Sequence, residues 1–361
     1  MQLVRSTFIE NECTYLLKDL TGKIPMTPFD TKENNISKGT HYSEMIYEEN
    51  PVSSEVDEIF ITQTKKYATE IADMIKKLSM RMYDMAGERM VIVSIARAGS
   101  PIGVLIKKYL SSHGIYVPHY SISVIREKGI DTNALDYIRE KHPTGIIVFV
   151  DGWTGKGSIR DTLCHSVLCY NSKNNTHIST NLAVVSDPAR RAEIAATRKD
   201  ICIPNACLNS TVSGLVSRTV CNDAFMDEGD FHGAVYYEKL KPYDRTEFFI
   251  DAISSEFTYS GRLMDRKRNK PRFNRIEEWV STQVISDIAH EFPLMDRNKI
   301  KLGIGETSRA LIRRTPVGVL VNPKTDEDKD QLLFIRHLAS EKKIPVTYGN
   351  IGKYNCAVLI K

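Results

Sequence analysis

The stretch Ile146-Ile-Val-Phe-Val-Asp-Gly-Trp-Thr-Gly-Lys-Gly-Ser158 decides the fold of this chain. Its first five residues are apolar and predict a buried strand of a parallel sheet, because such strands are apolar on both faces. An acid, Asp151, ends the predicted strand. A loop with three glycines follows, and a helical pattern begins with Ser158 as the predicted N-cap. A strand, a glycine loop and a helix N-terminus together predict an anion-binding site.

Two common phosphate-binding loops do not match this stretch. A P-loop needs four residues between its first glycine and a Gly-Lys-Ser/Thr sequence, whereas Lys156 is followed by Gly157. The dinucleotide fingerprint Gly-x-Gly-x-x-Gly fails as well, because the gaps between the glycines come in the opposite order here. The alternative to a ligand site is an ordinary buried strand that ends in a glycine turn.

The alternation of strand, short loop and helix occurs repeatedly before and after this stretch. A helical pattern over residues 56–86 precedes a strand at 90–95, a small-residue loop from Ala96 and a second helix. A strand at 117–124 precedes a helix that Asp131 is predicted to cap, and another strand covers 181–187. This order predicts a doubly wound parallel sheet with its ligand at the carboxyl ends of the strands.

The acid followed by Thr-Gly-x-Gly-Ser resembles the 5-phosphoribosyl-1-pyrophosphate (PRPP) loop of type I phosphoribosyltransferases. The resemblance implies that Asp151 faces the ribose hydroxyls and that the 5-phosphate is held by Thr154, Gly155, Lys156, Gly157 and Ser158. It implies a pyrophosphate loop made by Ala96, Arg97, Ala98 and Gly99, and Mg2+ that arrives with PRPP. Arg126 and Lys128 would close over the leaving group. Many members have a second acid where this chain has Gly152.

Three further stretches, His41-Tyr-Ser-Glu44, 202–219 and Asp230-Phe-His-Gly-Ala234, resemble an orphan phosphoribosyltransferase family of tellurite-resistance and stress gene clusters. That family is also labelled the StiP cysteine proteases. A cysteine nucleophile needs a histidine base and usually an orienting third group. Cys207 with His232 and Asp230 is one such set, whereas Cys164 and His165 are helix neighbours whose side chains point about 100° apart.

The last part of the chain predicts a second, smaller domain. A helix near 276 precedes alternating strands and helices, with the turn Gly303-x-Gly305-Glu306-Thr307-x-Arg309 before the second helix. This α/β/α order and turn resemble the L7Ae and Pelota RNA-binding family. The resemblance implies RNA contacts from Gly303, Gly305, Glu306, Thr307, Arg309 and Arg313. The alternative is that Glu306 and Thr307 only cap a helix.

Composition and charge limit the classes of protein. The chain is 42% hydrophobic and 26% charged, as in ordinary globular proteins, and no apolar run reaches the ~20 residues of a membrane span. No apolar stretch of signal-peptide length begins the chain, and the seven cysteines form no Cys-x-x-Cys pair, so we expect a cytoplasmic protein with reduced thiols. Residues 262–361 hold 20 Lys and Arg against 12 Asp and Glu, which favours a nucleic-acid surface there.

We therefore expect a type I phosphoribosyltransferase-like domain in residues 1–255, a basic linker in 256–275 and a Pelota/L7Ae-like RNA-binding domain in 276–361. The expected activity is pentosyl transfer from PRPP to an unidentified acceptor, with pyrophosphate release, coupled to RNA binding in a stress or tellurite-resistance system. The resemblance also implies a homodimer, and no protein-bound metal site is predicted. Two alternatives stay open, a PRPP-sensing RNA-binding regulator without turnover and a cysteine hydrolase.

Overall fold

The computed structural model describes residues 1–28, 31, 35, 39–258, 268–292, 296–324 and 329–361. Its strands are β1 (Thr14–Tyr15), β2 (Lys18–Asp19), β3 (Met26–Thr27), β4 (Ile46–Tyr47), β5 (Met90–Ile95), β6 (His119–Ile122), β7 (Val124–Ile125), β8 (Gly129–Ile130), β9 (Ile146–Trp153), β10 (Leu182–Ser186), β11 (Ile194–Thr197), β12 (Gly233–Ala234), β13 (Ile300–Leu302), β14 (Pro316–Val321), β15 (Val346–Tyr348) and β16 (Cys356–Ile360). Its α-helices are α1 (Ser54–Ala86), α2 (Gly99–Ser112), α3 (Thr132–Lys141), α4 (Ser158–Asn174), α5 (Thr246–Ser254), α6 (Trp279–Glu291), α7 (Ile304–Arg313) and α8 (Leu333–Glu341).

A parallel sheet in the order β1-β6-β5-β9-β10-β11 forms the core of the N-terminal domain. The apolar run of β9 is buried on both faces: Val148 and Val150 join one hydrophobic cluster, while Ile147 and Phe149 join the other. This alternation follows from the two-residue period of a strand. The predicted α/β class with a parallel sheet is confirmed, and the specific phosphoribosyltransferase fold stays a prediction.

Helices cover both faces of this sheet. On the face of Val148 the hydrophobic cluster includes Ile71 of α1, Ile106 of α2 and Ile250 of α5. On the opposite face it includes Leu135 of α3 and Leu163 of α4. The chain runs from β5 outward to β6 in one direction and from β9 to β11 in the other, so the carboxyl ends of β5 and β9 flank the point where the strand order reverses.

The end of β9 differs from the prediction in two ways. The strand continues through Asp151 to Trp153, because β10 still pairs with both residues, so Asp151 lies within the strand. The N-cap of α4 is Gly157, whose φ of 92° suits glycine, and Ser158 is the first helical residue. By contrast, the prediction for α3 is confirmed, because the Asp131 carboxylate accepts a hydrogen bond from the Ala134 N–H at 3.0 Å.

The predicted strand at 117–124 is shorter than expected. It ends at Ile122 as β6, and the chain then forms an antiparallel hairpin from β7 and β8 with Arg126 and Lys128 in its turn. This hairpin is held by the segment before α1: the Tyr42 hydroxyl accepts from the Arg126 N–H, and the Lys128 ammonium contacts Glu44.

The C-terminal domain contains its own sheet in the order β13-β16-β14-β15, and its elements follow the predicted sequence of helices and strands. The stretch 268–275 has no regular secondary structure and lies along the N-terminal domain, where Asn274 donates to the Glu193 carbonyl. Residues 259–267 of the predicted linker lie outside the described residues. Among the described residues, no helix is both long and apolar enough to cross a membrane.

Candidate functional site

The turn at the start of α7 packs directly on the loop that follows β9. A Cβ atom at Gly155 would lie 2.4 Å from Cγ of Glu306, and one at Gly305 would lie 2.3 Å from Cε2 of Trp153. Both glycines were predicted to let a ligand approach the backbone. In the structure they allow the two domains to approach each other, and the predicted phosphate loop and RNA-binding turn form one junction.

Arg309 brings positive charge into this junction. Its guanidinium lies 4.8 Å from the centre of the Trp153 ring, a cation–π distance. Burial lowers the pKa of Arg309 to about 10, although the nearby charges of Glu306 and Asp151 act in the opposite direction. Burial also raises the pKa of Asp151 to about 7, against a hydrogen bond from Gly152 and the charge of Arg309.

A second, more deeply buried charge pair lies beside the junction. The Arg97 guanidinium forms an ion pair with Glu49 and donates to the carbonyl of Val216 at 2.7 Å. Burial opposes the charge of Glu49, but Arg97 and Arg313 hold its pKa below the ordinary value. Arg97 was predicted to meet pyrophosphate, and the structure places its two terminal nitrogens on protein oxygens.

The rest of the predicted pyrophosphate loop packs tightly on β9. A Cβ atom at Gly99 would lie 2.4 Å from the carbonyl oxygen of Val150. The Ala98 carbonyl accepts a hydrogen bond from the Asn205 amide at 3.1 Å, and the Ala96 N–H donates to Ile122. Arg97 follows Ala96 through a cis peptide bond.

The residues predicted to hold a 5-phosphate also have partners within the protein. The Thr154 hydroxyl donates to Asp187 at 2.6 Å, and the Gly155 carbonyl accepts from the Tyr354 hydroxyl at 2.8 Å. The Lys156 ammonium donates to the carbonyl of Arg297 at 2.6 Å. Residues of both domains therefore form hydrogen bonds with the loop that was predicted to bind phosphate.

The two basic residues of the hairpin have different surroundings. Lys128 donates to the Cys221 carbonyl at 2.8 Å and contacts Glu44 at 3.3 Å. Arg126 lies close enough to Lys156 and Lys301 for its charge to lower the pKa of both lysines, after the larger effect of burial. Of the two residues predicted to close over the leaving group, only Arg126 therefore faces the junction.

The junction does not fit a magnesium site. Magnesium needs octahedral oxygen ligands. The carboxylates of Asp151 and Glu306 both interact with the Arg309 guanidinium, which supplies positive charge at this place. Among the described residues, no group of three or more His, Cys, Asp or Glu side chains is arranged to hold a metal ion. The Mg2+ expected from the sequence would be bound to PRPP rather than to these side chains, so their arrangement does not test that expectation.

The cysteine set considered from the sequence is not assembled. Cys207 is fully buried, with its sulfur 4.0 Å from the Gln63 side-chain oxygen. The backbone N–H of His232 donates to Asp131 at 2.6 Å, and Asp230 forms an ion pair with Lys18. Among the described residues, no hydrogen bond joins the side chains of Cys207, His232 and Asp230.

A different pair, Cys13 and His119, is brought together by the sheet. Cys13 directly precedes β1, His119 begins β6, and β1 and β6 are paired. The Cys13 sulfur lies 3.9 Å from Nε2 of His119, and Nδ1 of His119 lies 2.9 Å from the Glu12 carbonyl oxygen. Because a carbonyl only accepts, Nδ1 carries the imidazole proton, and Nε2 is an acceptor that lies 2.8 Å from the Ser94 hydroxyl as well as facing the thiol.

Packing and burial define the state of this pair. A Cβ atom at Gly103 would lie 2.3 Å from Nε2 of His119, so the ring has little room to turn. Burial lowers the pKa of His119 to about 3 and raises that of Cys13 above its ordinary value, while the charge of Lys107 lowers the pKa of Cys13. The resting pair is therefore a neutral thiol beside a neutral imidazole.

An open depression of about 550 Å³ adjoins this pair. Glu12, which precedes Cys13, lines it together with Lys107 and Tyr116. Two other cysteines lie near histidines. Cys169 contacts His165 at 3.7 Å, one turn away on the outside of α4. Cys221 follows Val220, which pairs with Gly233 beside His232.

Sequence reasoning missed the Cys13–His119 pair because the two residues are 106 positions apart and neither belongs to a motif. Their proximity depends on the pairing of the two-residue strand β1 with the edge of the sheet. The sequence offered only an indirect indication of this pair. If β1 and β6 are predicted to pair in a parallel sheet, then residues at the starts of the two strands are expected to lie close together.

Comparisons with known proteins identify the family. Residues 6–254 match the family described as tellurite-like stress resistance cysteine protease StiP, and residues 279–361 match the PELOTA RNA binding domain. A relative named cysteine protease StiP, from Acinetobacter baylyi (strain ATCC 33305 / BD413 / ADP1), is 33% identical over 381 residues, which cover 98% of this chain and 94% of that protein. The chain belongs to the StiP family. No solved structure matches it.

These findings correct the predicted activity. The family and the relative are named cysteine proteases, not phosphoribosyltransferases, so the prediction of a PRPP-dependent transferase is wrong. The contacts of the loops give a physical reason, because Arg97 is paired with Glu49 and the glycine loop is covered by the C-terminal domain. The predicted link to stress and tellurite resistance is confirmed through the family, and so is the presence of a Pelota RNA-binding domain.

Proposed function

We propose that this protein is a cysteine-dependent hydrolase whose nucleophile is Cys13 and whose general base is His119. The name of its family and of its relative supports hydrolysis by a cysteine. The observation that carries the assignment to this pair is the 3.9 Å separation between the Cys13 sulfur and Nε2 of His119. A nucleophile and a base within hydrogen-bond reach, with the base oriented by a third group, are the parts that such chemistry needs.

The geometry assigns a role to each group. Nε2 of His119 accepts the thiol proton as the Cys13 sulfur attacks a substrate carbonyl, and the Glu12 carbonyl holds the opposite ring nitrogen in the required tautomer. The imidazolium then returns the proton to the leaving amine, which leaves a thioester on the sulfur. Water, deprotonated by the same imidazole, hydrolyses the thioester and restores the thiol.

Burial keeps the resting thiol and imidazole of this pair uncharged. A neutral thiol is a weak nucleophile, so the proton must move to His119 during the attack itself rather than beforehand. Lys107 lies at the neighbouring depression, and its charge favours the thiolate. We place the substrate acyl group in this depression, because its lining residue Glu12 directly precedes Cys13.

Substitution of single cysteines tests this proposal. We expect hydrolysis of a fluorogenic casein substrate by the full chain to be lost in Cys13→Ser, which keeps the size of the side chain. It is expected to persist in Cys221→Ser and Cys169→Ser, which remove the other two cysteines near histidines. Loss of hydrolysis in Cys221→Ser alone would move the nucleophile to that residue. Hydrolysis that survives all three substitutions, or a wild-type protein that cleaves neither casein nor a peptide mixture, would contradict the proposal.

The second proposed activity is RNA binding by the C-terminal domain. It is supported by the Pelota match over residues 279–361 and by the excess of Lys and Arg in residues 262–361. Fluorescence anisotropy with a short labelled single-stranded RNA tests it. Affinity should fall linearly with salt on a double logarithmic plot, because phosphate contacts release counterions. An anisotropy that does not change with added protein at low salt would contradict RNA binding.

A further inference from the structure

The turn expected to contact RNA is covered in this structure. Gly303, Gly305 and Thr307 are buried, and the aromatic ring of Trp153 fills the space in front of Gly305. Arg309 lies against the same ring. A backbone turn can approach a nucleic acid only where nothing else occupies its surface. In this arrangement of the domains, the RNA surface has to lie elsewhere.

Four basic residues from both domains lie beside the covered turn, where Lys156 and Lys301 donate to the adjacent carbonyls of Arg297 and Asn298 and the charges of Arg126 and Arg314 act on Lys301. We name them the junction cluster: Arg126 in the β7–β8 hairpin, Lys156 in the loop after β9, Lys301 in β13 and Arg314 directly after α7. We propose that the junction cluster binds the phosphate groups of a single-stranded RNA. This inference rests on the proposed RNA binding and assigns it to a surface.

The hydrogen-bond acceptors of the two lysines are neutral carbonyl groups, which do not cancel the charge of an ammonium group. Lys156 donates to the Arg297 carbonyl at 2.6 Å, and Lys301 donates to the Asn298 carbonyl at 2.7 Å. Within the described part of the chain, neither lysine forms an ion pair, and the Arg126 guanidinium also has none. A carbonyl satisfies a donor without neutralising its charge. The cluster therefore presents positive charge that an anionic ligand would compensate.

Burial and repulsion among these cations both lower the pKa values of the two lysines. Burial lowers the pKa of Lys156 to about 7, with further lowering by Lys301 and Arg126, while Glu306 and Asp296 act in the opposite direction. Burial, Arg126 and Arg314 lower the pKa of Lys301 to about 8, again against Glu306 and Asp296. The cations thus outweigh the two acids that face them.

A strand of RNA suits this surface better than a single small anion. Arg297 and Lys299, both exposed, continue the basic surface from Lys301 along the segment before β13. The cations are therefore spread over several side chains on separate elements. A polyanion with regularly spaced phosphates meets more of them than an isolated phosphate does.

Binding measurements on the full chain with charge-removing variants test this surface. With a short labelled single-stranded RNA, Lys156→Ala and Lys301→Ala should each weaken binding about tenfold, as expected for loss of one charge-assisted hydrogen bond. Each should also reduce the slope of log Kd against log salt by about 0.7. Lys65→Ala, which removes an exposed charge from α1, is the matched control and should change neither quantity.

Proton uptake gives an independent measurement. An RNA phosphate beside the cluster raises the pKa of both lysines, so calorimetry at pH 8 in buffers of different ionisation enthalpy should show net proton uptake on binding. The uptake should decrease in Lys301→Ala and stay unchanged in Lys65→Ala.

Each other outcome has a distinct meaning. Wild-type affinity in both cluster variants, with weakened binding in Arg309→Ala, would overturn the junction cluster in favour of an opened turn. If inorganic phosphate or a mononucleotide displaces the RNA at a concentration close to the Kd of the RNA, the site is one for a single anion and the RNA assignment is overturned. Absence of RNA binding by the wild-type protein would overturn the proposed RNA binding itself.

Discussion

Asp200 of the N-terminal domain accepts a hydrogen bond from the backbone N–H of Ile304, at 3.0 Å, in the first turn of α7. Its other carboxylate oxygen accepts from the N–H of Asn355 at 2.8 Å. A side chain of one domain therefore caps a helix of the other, in the role that an N-cap residue normally has within its own chain segment. The same helix carries Glu306 and Arg309 to the loop after β9, so this carboxylate positions the junction.

Replacement of Asp200 by Ala should destabilise the protein. Two backbone N–H groups lose their acceptor in a buried place, which costs about 1–3 kcal/mol of the free energy of unfolding. Urea unfolding followed by tryptophan fluorescence measures the change. Asp73→Ala, at an exposed position of α1, is the control and should stay close to wild type. Equal midpoints for the two variants would show that Asp200 does not hold the domains together.

The contribution of Asp151 and Asp200 to the free energy of unfolding should fall as pH rises from about 4 to 7. Burial raises the pKa of Asp151 to about 7 and that of Asp200 to about 6, from an ordinary value of 3.8. The folded protein then binds more protons than the unfolded chain in this range, so the stabilisation is complete below pH 3.8 and is lost as pH rises through the folded values.

Asp151→Asn isolates the contribution of one of these groups. We expect urea unfolding at a series of pH values to show that the free energy of unfolding of Asp151→Asn, relative to that of the wild-type protein, increases between pH 5 and pH 7, because the variant has no group titrating near 7 at this position. Asp73→Asn should keep the wild-type pH dependence. An unchanged slope in Asp151→Asn would mean that this carboxyl is ionised throughout.

Gly305→Ala should separate interdomain packing from helix preference. Alanine favours a helix, but its Cβ would lie 2.3 Å from the Trp153 ring, and overpacking of this kind costs about 1–3 kcal/mol. Gly318→Ala in β14 is the matched control, because the nearest atom there is 3.9 Å away. The expected result is a lower unfolding midpoint and altered emission of Trp153 only in Gly305→Ala. A stabilised Gly305→Ala would show that the ring moves aside without cost.

Local patterns predicted the elements better than their contacts. The apolar run of β9 is continuous because both of its faces are buried, and α1 has a helical apolar period because one of its faces is buried. Both patterns are therefore visible in the sequence. The extension of β9 to Trp153 depends on pairing with β10, and the capping of α4 by Gly157 depends on one backbone angle. Neither is encoded in hydrophobic periodicity.

The contacts at the candidate sites were even harder to predict from local patterns than the ends of the elements. Glycines at 155 and 305 were predicted to let a ligand approach the backbone. The approaching group is the other domain, which no pattern within one segment reveals. Cys13 and His119 are joined by a pairing between strands far apart in sequence, so only the three-dimensional structure brings them to attention.

The buried ion pair between Arg97 and Glu49 gives the largest expected effect of a single substitution. Both side chains are almost fully buried, and Glu49 also accepts the N–H of Ser210 at 3.1 Å. Glu49→Gln leaves the guanidinium buried without its counter-charge, which should cost about 3–5 kcal/mol of the free energy of unfolding. Asp330→Asn, which breaks the exposed pair with Lys66, should cost about 0–1 kcal/mol in the same urea experiment.

A double variant distinguishes the cost of an unpaired charge from the value of the pair. Arg97→Met with Glu49→Leu removes both charges and keeps apolar volume, so it should be more stable than Glu49→Gln. The double variant, Glu49→Gln and the wild-type protein are compared by their unfolding midpoints at one pH. If the double variant is the least stable, the pair itself, and not the avoidance of a lone buried charge, holds the segment before α1 against the loop after β5.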